Sequence, residues 1–160
     1  MKVLIVSDTH RENDNFMKVV EKEKPFDLLV HCGDIEGAEY MYSRTVDCPM
    51  HMITGNNDFF SMLPPEKEFR IGDHKVFLTH GHAYRVSVGY EMLRQEGIAH
   101  DADIVMFGHI HRPVVDCVGG VWLINPGSLS YPRQEGRRPS YIVMNAEDGK
   151  DPEFEVKYLE

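Results

Sequence analysis

Little in this sequence serves thiol chemistry. Its 160 residues include three cysteines, Cys32, Cys48 and Cys117, widely spaced, odd in number and without a CxxC pair. That argues against a disulfide framework, a dithiol redox motif and a thiolate zinc site, and fits a reducing cytosol. Long hydrophobic runs are also missing. The N-terminal stretch Val3-Leu4-Ile5-Val6 is stopped by Ser7 and Asp8, too soon for a signal-peptide core. No segment approaches the roughly 18 apolar residues that cross a bilayer, so a cytoplasmic protein with no membrane partner is expected. Basic residues are outnumbered, with 17 Lys and Arg against 26 Asp and Glu and a formal net charge of −9. Stable nucleic-acid binding, which needs a basic face, is not expected. Repeats, low-complexity tracts and long linkers are absent, which leaves a single domain over residues 1–160.

What is present reads as alternating strands and helices. Lys2 to Ser7 is rich in β-branched residues, as in a strand buried on both faces. Asn13, Asp14 or Asn15 can cap a helix carrying Phe16, Val19 and Val20 on one face and closed by Pro25. Asp27 to His31, a helical spacing of Ala38, Met41 and Tyr42, and Met50 to Thr54 repeat the pattern. Such alternation predicts a mostly parallel sheet with its ligand site at the carboxyl ends of the strands. Glu68 to Ile71 and His74 to Thr79 then flank a Gly72-Asp73 hairpin turn. A helix is predicted over Val86 to Glu96, ending at Gly97, with strands over 103–107, 114–117, 121–125, 141–145 and 154–159. That many strands suggest two packed sheets with helices outside. Arg133 to Pro139 reads as a loop.

The chemistry lies in five clusters: Asp8-Thr9-His10, Gly33-Asp34, Gly55-Asn56-Asn57-Asp58, His80-Gly81-His82 and Gly108-His109-Ile110-His111. Nearly all directly follow a predicted strand, where loops converge on one pocket. Together they supply carboxylate, imidazole and amide ligands, a set suited to Mn²⁺, Fe²⁺, Ni²⁺ or Zn²⁺ rather than the all-oxygen shell of Ca²⁺. Two such ions roughly 3.5–4 Å apart bind a phosphoryl oxygen and lower the pKa of water toward about 7. Asp8 and His10 stand at i, i+2, as do His109 and His111, and in extended backbone each pair points one way. The glycines beside the ligands allow tight turns.

In order, these clusters match D-x-H, G-D, G-N-x-D, H-G-H and G-H-x-H. The chain resembles the calcineurin-like metallophosphoesterase superfamily, and within it the minimal YfcE-like phosphodiesterases. The likeness runs from Val3 to about Ser128 and includes the turn Asn125-Pro126-Gly127-Ser128. It implies a two-sheet β-sandwich flanked by helices, a four-layer α/β/β/α fold. It further implies two divalent metal ions, with manganese leading. One takes Asp8, His10, Asp34 and His111, the other Asp34, Asn56, His80 and His109, with Asp34 as the bridge. The implied reaction is hydrolysis of a small or nucleotide phosphodiester by a hydroxide bridging the two metals. Without a cap domain, the pocket is expected to be open. The same likeness extends to a retromer subunit that uses the fold as an interaction scaffold, which is the rival reading.

Three further positions are candidates for catalytic roles. His82 could bind phosphate, protonate the leaving group or close a turn. Asp58 could orient a histidine or cap the turn before Phe59. Asn57 stands where many larger relatives have a histidine, so a general-acid role does not carry over. His31, His51, His74 and His100 lie outside the clusters and are read as ordinary core or surface histidines, and Cys32 as a buried small hydrophobe. Arg11, Arg133, Arg137 and Arg138 are solvated loop arginines unless they clamp a phosphate. Met41, Tyr42, Phe59, Phe60, Met62 and Leu63 are core residues, the lip of the pocket, or a homo-oligomer contact.

Overall fold

The computed structural model describes residues 1–160. The N-terminal strand β1 (Lys2–Val6) is buried along nearly its whole length. Because side chains alternate across a strand, Val3 and Ile5 face one core while Leu4 and Val6 face another. β1 runs parallel to β2 (Leu28–His31), which runs parallel to β3 (Met50–Met52). On its other edge β1 pairs antiparallel with β9 (Ser140–Asn145), and β9 with β10 (Glu153–Tyr158). The second sheet has the order β4-β5-β6-β8-β7, from β4 (Glu66–Ile71), β5 (His74–Thr79), β6 (Ile104–Met106), β7 (Pro113–Val118) and β8 (Val121–Pro126). β5, β6 and β8 are parallel, so this sheet too points three carboxyl ends one way.

Between the sheets lie Val3, Ile5 and Val30 from one side and Val76, Leu78, Ile104, Met106 and Ile124 from the other. Helices α1 (Asn13–Glu23) and α2 (Glu39–Thr45) cover the first sheet with Phe16, Val19, Val20 and Tyr42, the rings of Phe16 and Tyr42 stacking at 3.8 Å. Helix α3 (Glu91–Ala99) covers the second, setting Leu93 among Phe77, Val105 and Phe107. The four-layer α/β/β/α sandwich is the expected fold. The Gly72-Asp73 turn also forms as predicted, with Gly72 at φ +57, the sign a tight hairpin needs at its first central residue.

Two helix boundaries differ from expectation. No side chain caps α1. Asn13 and Asn15 lie inside its first turn, where Asn13 accepts a bond from the Tyr42 hydroxyl and Asn15 donates to the Leu129 carbonyl. Tertiary bonds have taken the groups that would otherwise cap. Helix α3 begins at Glu91 rather than Val86, and Gly97 lies within it rather than ending it. A Cβ at Gly97 would lie 2.4 Å from Val105 Cγ2, so this glycine is a packing contact.

Gly97→Ala tests that contact. Helix propensity alone favours alanine by about 1 kcal/mol, whereas overpacking a closed core costs roughly 1–3 kcal/mol. A net loss of stability is expected, read as a lower urea midpoint, and Gly97→Ala/Val105→Ala should recover part of it. A higher midpoint for the single variant would contradict the packing role.

Candidate metal centre

Loops at the carboxyl ends of both sheets meet at one place, and backbone bonds continue the strand ladders into them. The Asp8 and His10 amides donate to the carbonyls of Gly33 and Asp34, each at 3.0 Å, and the Gly108 amide donates to the His80 carbonyl at 3.0 Å. Among the bonds that join the two sheets here, the His109 amide donates to Asp8 Oδ2 at 3.0 Å.

Within this junction two groups of side chains converge, Asp8 with His10 and His111, and Asp8 with Asp34 and His80. Asp8 Oδ1 lies 3.1 Å from His111 Nε2 and 3.7 Å from His80 Nε2. Asp34 Oδ2 lies 3.3 Å from His80 Nε2 and 3.6 Å from His10 Nε2, so it reaches an imidazole in each half. Asn56 Oδ1 and His109 Nδ1 face each other at 3.1 Å, with the His109 ring 5.2 Å from that of His80. All seven sequence-predicted ligands therefore line one junction, five of them in the two tight groups.

Tautomers make the arrangement informative. His80 Nδ1 bonds to the Cys32 carbonyl and His111 Nδ1 to the Tyr131 carbonyl, both at 2.7 Å, and His10 Nδ1 to Glu36 Oε2 at 2.8 Å. Bonds to these acceptors place the proton on Nδ1 and aim each Nε2 lone pair inward. His10 Nε2 and His111 Nε2 then stand 3.2 Å apart, lone pair toward lone pair. Asp8 Oδ1 and His80 Nε2 are buried without any hydrogen-bond partner. Unpaired buried polar atoms are costly, and a cation resolves all these contacts together. Ligand atoms about 2.1 Å from a shared ion lie roughly 3.0–3.4 Å from one another, close to the separations seen. The residues fit a metal.

Charge follows the same geometry. Burial pushes the Asp8 carboxyl upward, but the His80, His10 and His111 imidazoles that face it outweigh burial and hold Asp8 well below the usual range. Burial likewise opposes ionisation of Asp34, and His80 again prevails, leaving it lowered. For His80, burial disfavours the charge, yet Asp8 and Asp34 raise it to about 9. In the metal-free protein a proton thus stands where a cation would.

The pairs Asp8/His10 and His109/His111 do converge, but not through extended backbone. Their φ values are +53, +46, +75 and +57, and Asp34 has +59. Left-handed turns aim these side chains, at a cost of order 1 kcal/mol or more for each non-glycine residue. The neighbouring glycines serve two ends. Gly33 and Gly81 carry positive φ, while at Gly55 a Cβ would sit 2.1 Å from Asp34 Oδ1.

The remaining candidates resolve differently. Asp58 touches no histidine. Its carboxylate accepts the amides of Asp34, Ile35, Glu36 and Gly55, pinning the β2 loop to the β3 loop. Orienting a histidine falls instead to Glu36, which sequence reasoning missed, although its place two residues after Asp34 was a usable signal. Asn57 donates its side-chain amide to Asp34 Oδ2 and its backbone amide to Asp34 Oδ1, each at 2.9 Å, and so positions that carboxylate. His82 is exposed at the rim, its ring 5.5 Å from His80 and 6.0 Å from His109. Partial burial and the charge of His80 lower its pKa. Ser128 and Ser130, also unforeseen, both donate to the Asp8 carbonyl at 2.7 Å. His31 proves to be a core histidine, fully buried between Thr9 Oγ1 and the Gly33 amide, with burial driving its pKa down to about 3. Tyr42 is core, whereas Phe59, Phe60 and Met62 stand out in solvent beside the site.

A two-sheet sandwich with a candidate metal centre at the junction of its sheets is the class that this fold and site define. The profile of the calcineurin-like phosphoesterase superfamily domain matches residues 1–149, and the chain belongs to that family. The probable metallophosphoesterase YsnB of Bacillus subtilis is 30% identical over 92% of this chain and 86% of its own length. The phosphodiesterase MJ0936 of Methanocaldococcus jannaschii is 30% identical over 79% of this chain and 83% of its own. Among solved structures, a conserved uncharacterized protein of Streptococcus pneumoniae superposes with a TM-score of 0.83 at 26% identity, covering 99% of this chain and 88% of that one. Vps29 of Entamoeba histolytica, solved with Zn²⁺, gives 0.79 at 23% identity over 99% of each chain, which is likeness of fold.

Proton and metal should compete at His80. A group whose folded pKa is raised to about 9 stabilises the fold fully below its unfolded value near 6.5, and that stability fades as pH climbs through about 9. In chelator, the melting temperature should therefore fall between pH 6.5 and 9. With Mn²⁺ it should rise over the same window, because binding must displace the proton. Parallel curves in the two conditions would contradict the shared site. Separately, Asn57→Ala or Glu36→Gln should weaken metal binding roughly 10–100-fold, as loss of an orienting partner does, measured by competition with a chelating dye.

Proposed function

We propose that this protein is a cytoplasmic metal-dependent phosphodiesterase holding two divalent ions, manganese first, with iron, nickel and zinc as alternatives. One ion takes Asp8, His10, Asp34 and His111. The other takes Asp34, Asn56, His80 and His109. The observation that carries this reading is the pair of buried, partnerless atoms Asp8 Oδ1 and His80 Nε2, aimed into a cradle of lone pairs. Bound ions of this kind supply Lewis acidity toward a phosphoryl oxygen and bring the pKa of water toward about 7.

The chain's own residues do the rest. Asp34 Oδ2, held by Asn57, spans both halves of the centre, so the two sites rise and fall together. Asp58 fixes the loops that carry Asp34 and Asn56. His82, at the open rim, is placed to meet the phosphate or the departing oxygen of a small or nucleotide ester. Unpaired Cys32, Cys48 and Cys117 suit a reducing compartment, and no helix is long and apolar enough to cross a membrane.

The scaffold reading draws on the likeness to Vps29 and on the exposed Phe59, Phe60 and Met62. Metal content alone does not separate the two, since that Vps29 was solved with zinc. Turnover does. Chelated protein resupplied in turn with Mn²⁺, Fe²⁺, Ni²⁺ and Zn²⁺ should hydrolyse bis-p-nitrophenyl phosphate with at least one of them, and inactivity with all four would leave the scaffold. Asp34→Asn should abolish turnover more completely than loss of any single terminal ligand. Near-normal turnover with two ions bound would refute the bridging assignment.

His82 carries a finer test. If it protonates the leaving group, His82→Ala should slow alkyl esters more than nitrophenyl esters by about 10²–10⁴-fold, the usual size of general acid catalysis. Equal slowing of both assigns it to phosphate binding.

A further inference from the structure

Beside the centre, on its His10 and His111 side, lies an open cavity of about 510 Å³ lined by Arg112, Tyr131, Pro132, Arg133 and Arg137. Three guanidinium side chains share it and no carboxylate does. In a chain of net charge −9, such a concentration of positive charge runs against the average surface. Where Arg94 and Arg138 are paired with Glu91 and Glu160, none of these three makes an ion pair. Their forked donors remain available, and that geometry suits the oxygens of a phosphate.

The cavity is fixed relative to the metal ligands. The Tyr131 carbonyl holds His111 Nδ1, the Arg133 amide donates to the His111 carbonyl at 2.9 Å, and the Tyr131 ring meets His10 edge-on with centroids 5.5 Å apart. The Tyr131 amide bonds to Ser128 Oγ, which itself donates to the Asp8 carbonyl. Across the loop, the Arg137 amide donates to the Gln134 carbonyl and Gln134 Nε2 to the Arg138 carbonyl. Arg137 sits at φ +46, a conformation an arginine rarely adopts. Metal ligands and arginines are thus two parts of one bonded frame.

We propose that Arg112, Arg133 and Arg137 form a second anion subsite. It binds a phosphate monoester carried elsewhere on the substrate, so that the preferred substrates are phosphodiesters with an additional terminal phosphate. This rests on the phosphodiesterase reading of the neighbouring centre and adds a substrate class to it.

Two dinucleotides that differ only by a 5′-terminal phosphate, pTpT and TpT, test it on the manganese-loaded protein. The terminal phosphate should raise kcat/KM about tenfold, chiefly through KM, the low end for charge-assisted bonds at an open site. In Arg133→Gln/Arg137→Gln the ratio of the two substrates should fall to about one, while Arg44→Gln/Arg70→Gln, an equal charge change on α2 and β4, should leave it near ten. A wild-type ratio of one, or a tenfold ratio kept in the double variant, overturns the subsite. Inorganic phosphate binding to chelated protein, followed by calorimetry, gives a readout that needs no turnover. The double variant should bind about tenfold more weakly, and equal binding counts against the subsite. If neither dinucleotide nor bis-p-nitrophenyl phosphate is hydrolysed while phosphate binding is lost in the double variant, the enzyme reading fails and the anion site stands as a site for free phosphate.

Discussion

Lone pairs that face one another across about 3 Å are the constraint on which this structure turns. Asp8, Asp34, His10, His80 and His111 are driven together by two sheets whose parallel strands end at one junction, and no hydrogen-bond pattern among them satisfies every inward atom. Cation or proton, something positive must sit there. Burial alone would keep the carboxylates neutral, yet both are held ionised by the imidazoles around them. The outer partners Cys32, Tyr131 and Glu36 then decide which nitrogen of each imidazole faces inward.

Much of this was legible in the residues themselves. β1 announced itself as buried on both faces, and the clusters 8–10, 33–34, 55–58, 80–82 and 108–111 announced their shared location by following strands. What sequence did not yield was how the backbone delivers them. The i, i+2 spacing of Asp8 and His10 suggested extended chain, and left-handed turns do the work instead. Nothing in a D-x-H string distinguishes those cases, because both bring side chains to one side. The positioning residues were obscured for a related reason. Asp58 binds backbone amides from two loops and Ser128 an Asp8 carbonyl 120 residues away, contacts that exist only once the chain has folded. Gly97 misled because a glycine near a helix end reads as a terminator until Val105 is seen above it.

The division of labour between the sheets also bears on folding. The first supplies Asp8, His10, Asp34 and Asn56, and the second supplies His80, His109 and His111, so neither half holds a complete centre. Assembly of the site therefore reports that the whole sandwich has closed. The bond from the His109 amide to Asp8 Oδ2 is the seam where that closure meets the chemistry.

Five of the seven converging side chains stand on residues with φ between +46 and +75, a backbone that glycine adopts freely and that aspartate and histidine tolerate better than most side chains, though still at a cost. Left to drift without a chemical demand, these positions would settle toward the easier residues, and the molecule would become more robust as it became inert. Their occupation by aspartate and histidine is a conformational cost that the surrounding structure sustains at the site. A lineage that kept the sandwich for docking alone would gain foldedness by surrendering the cradle first, well before anything in its sheets needed to change.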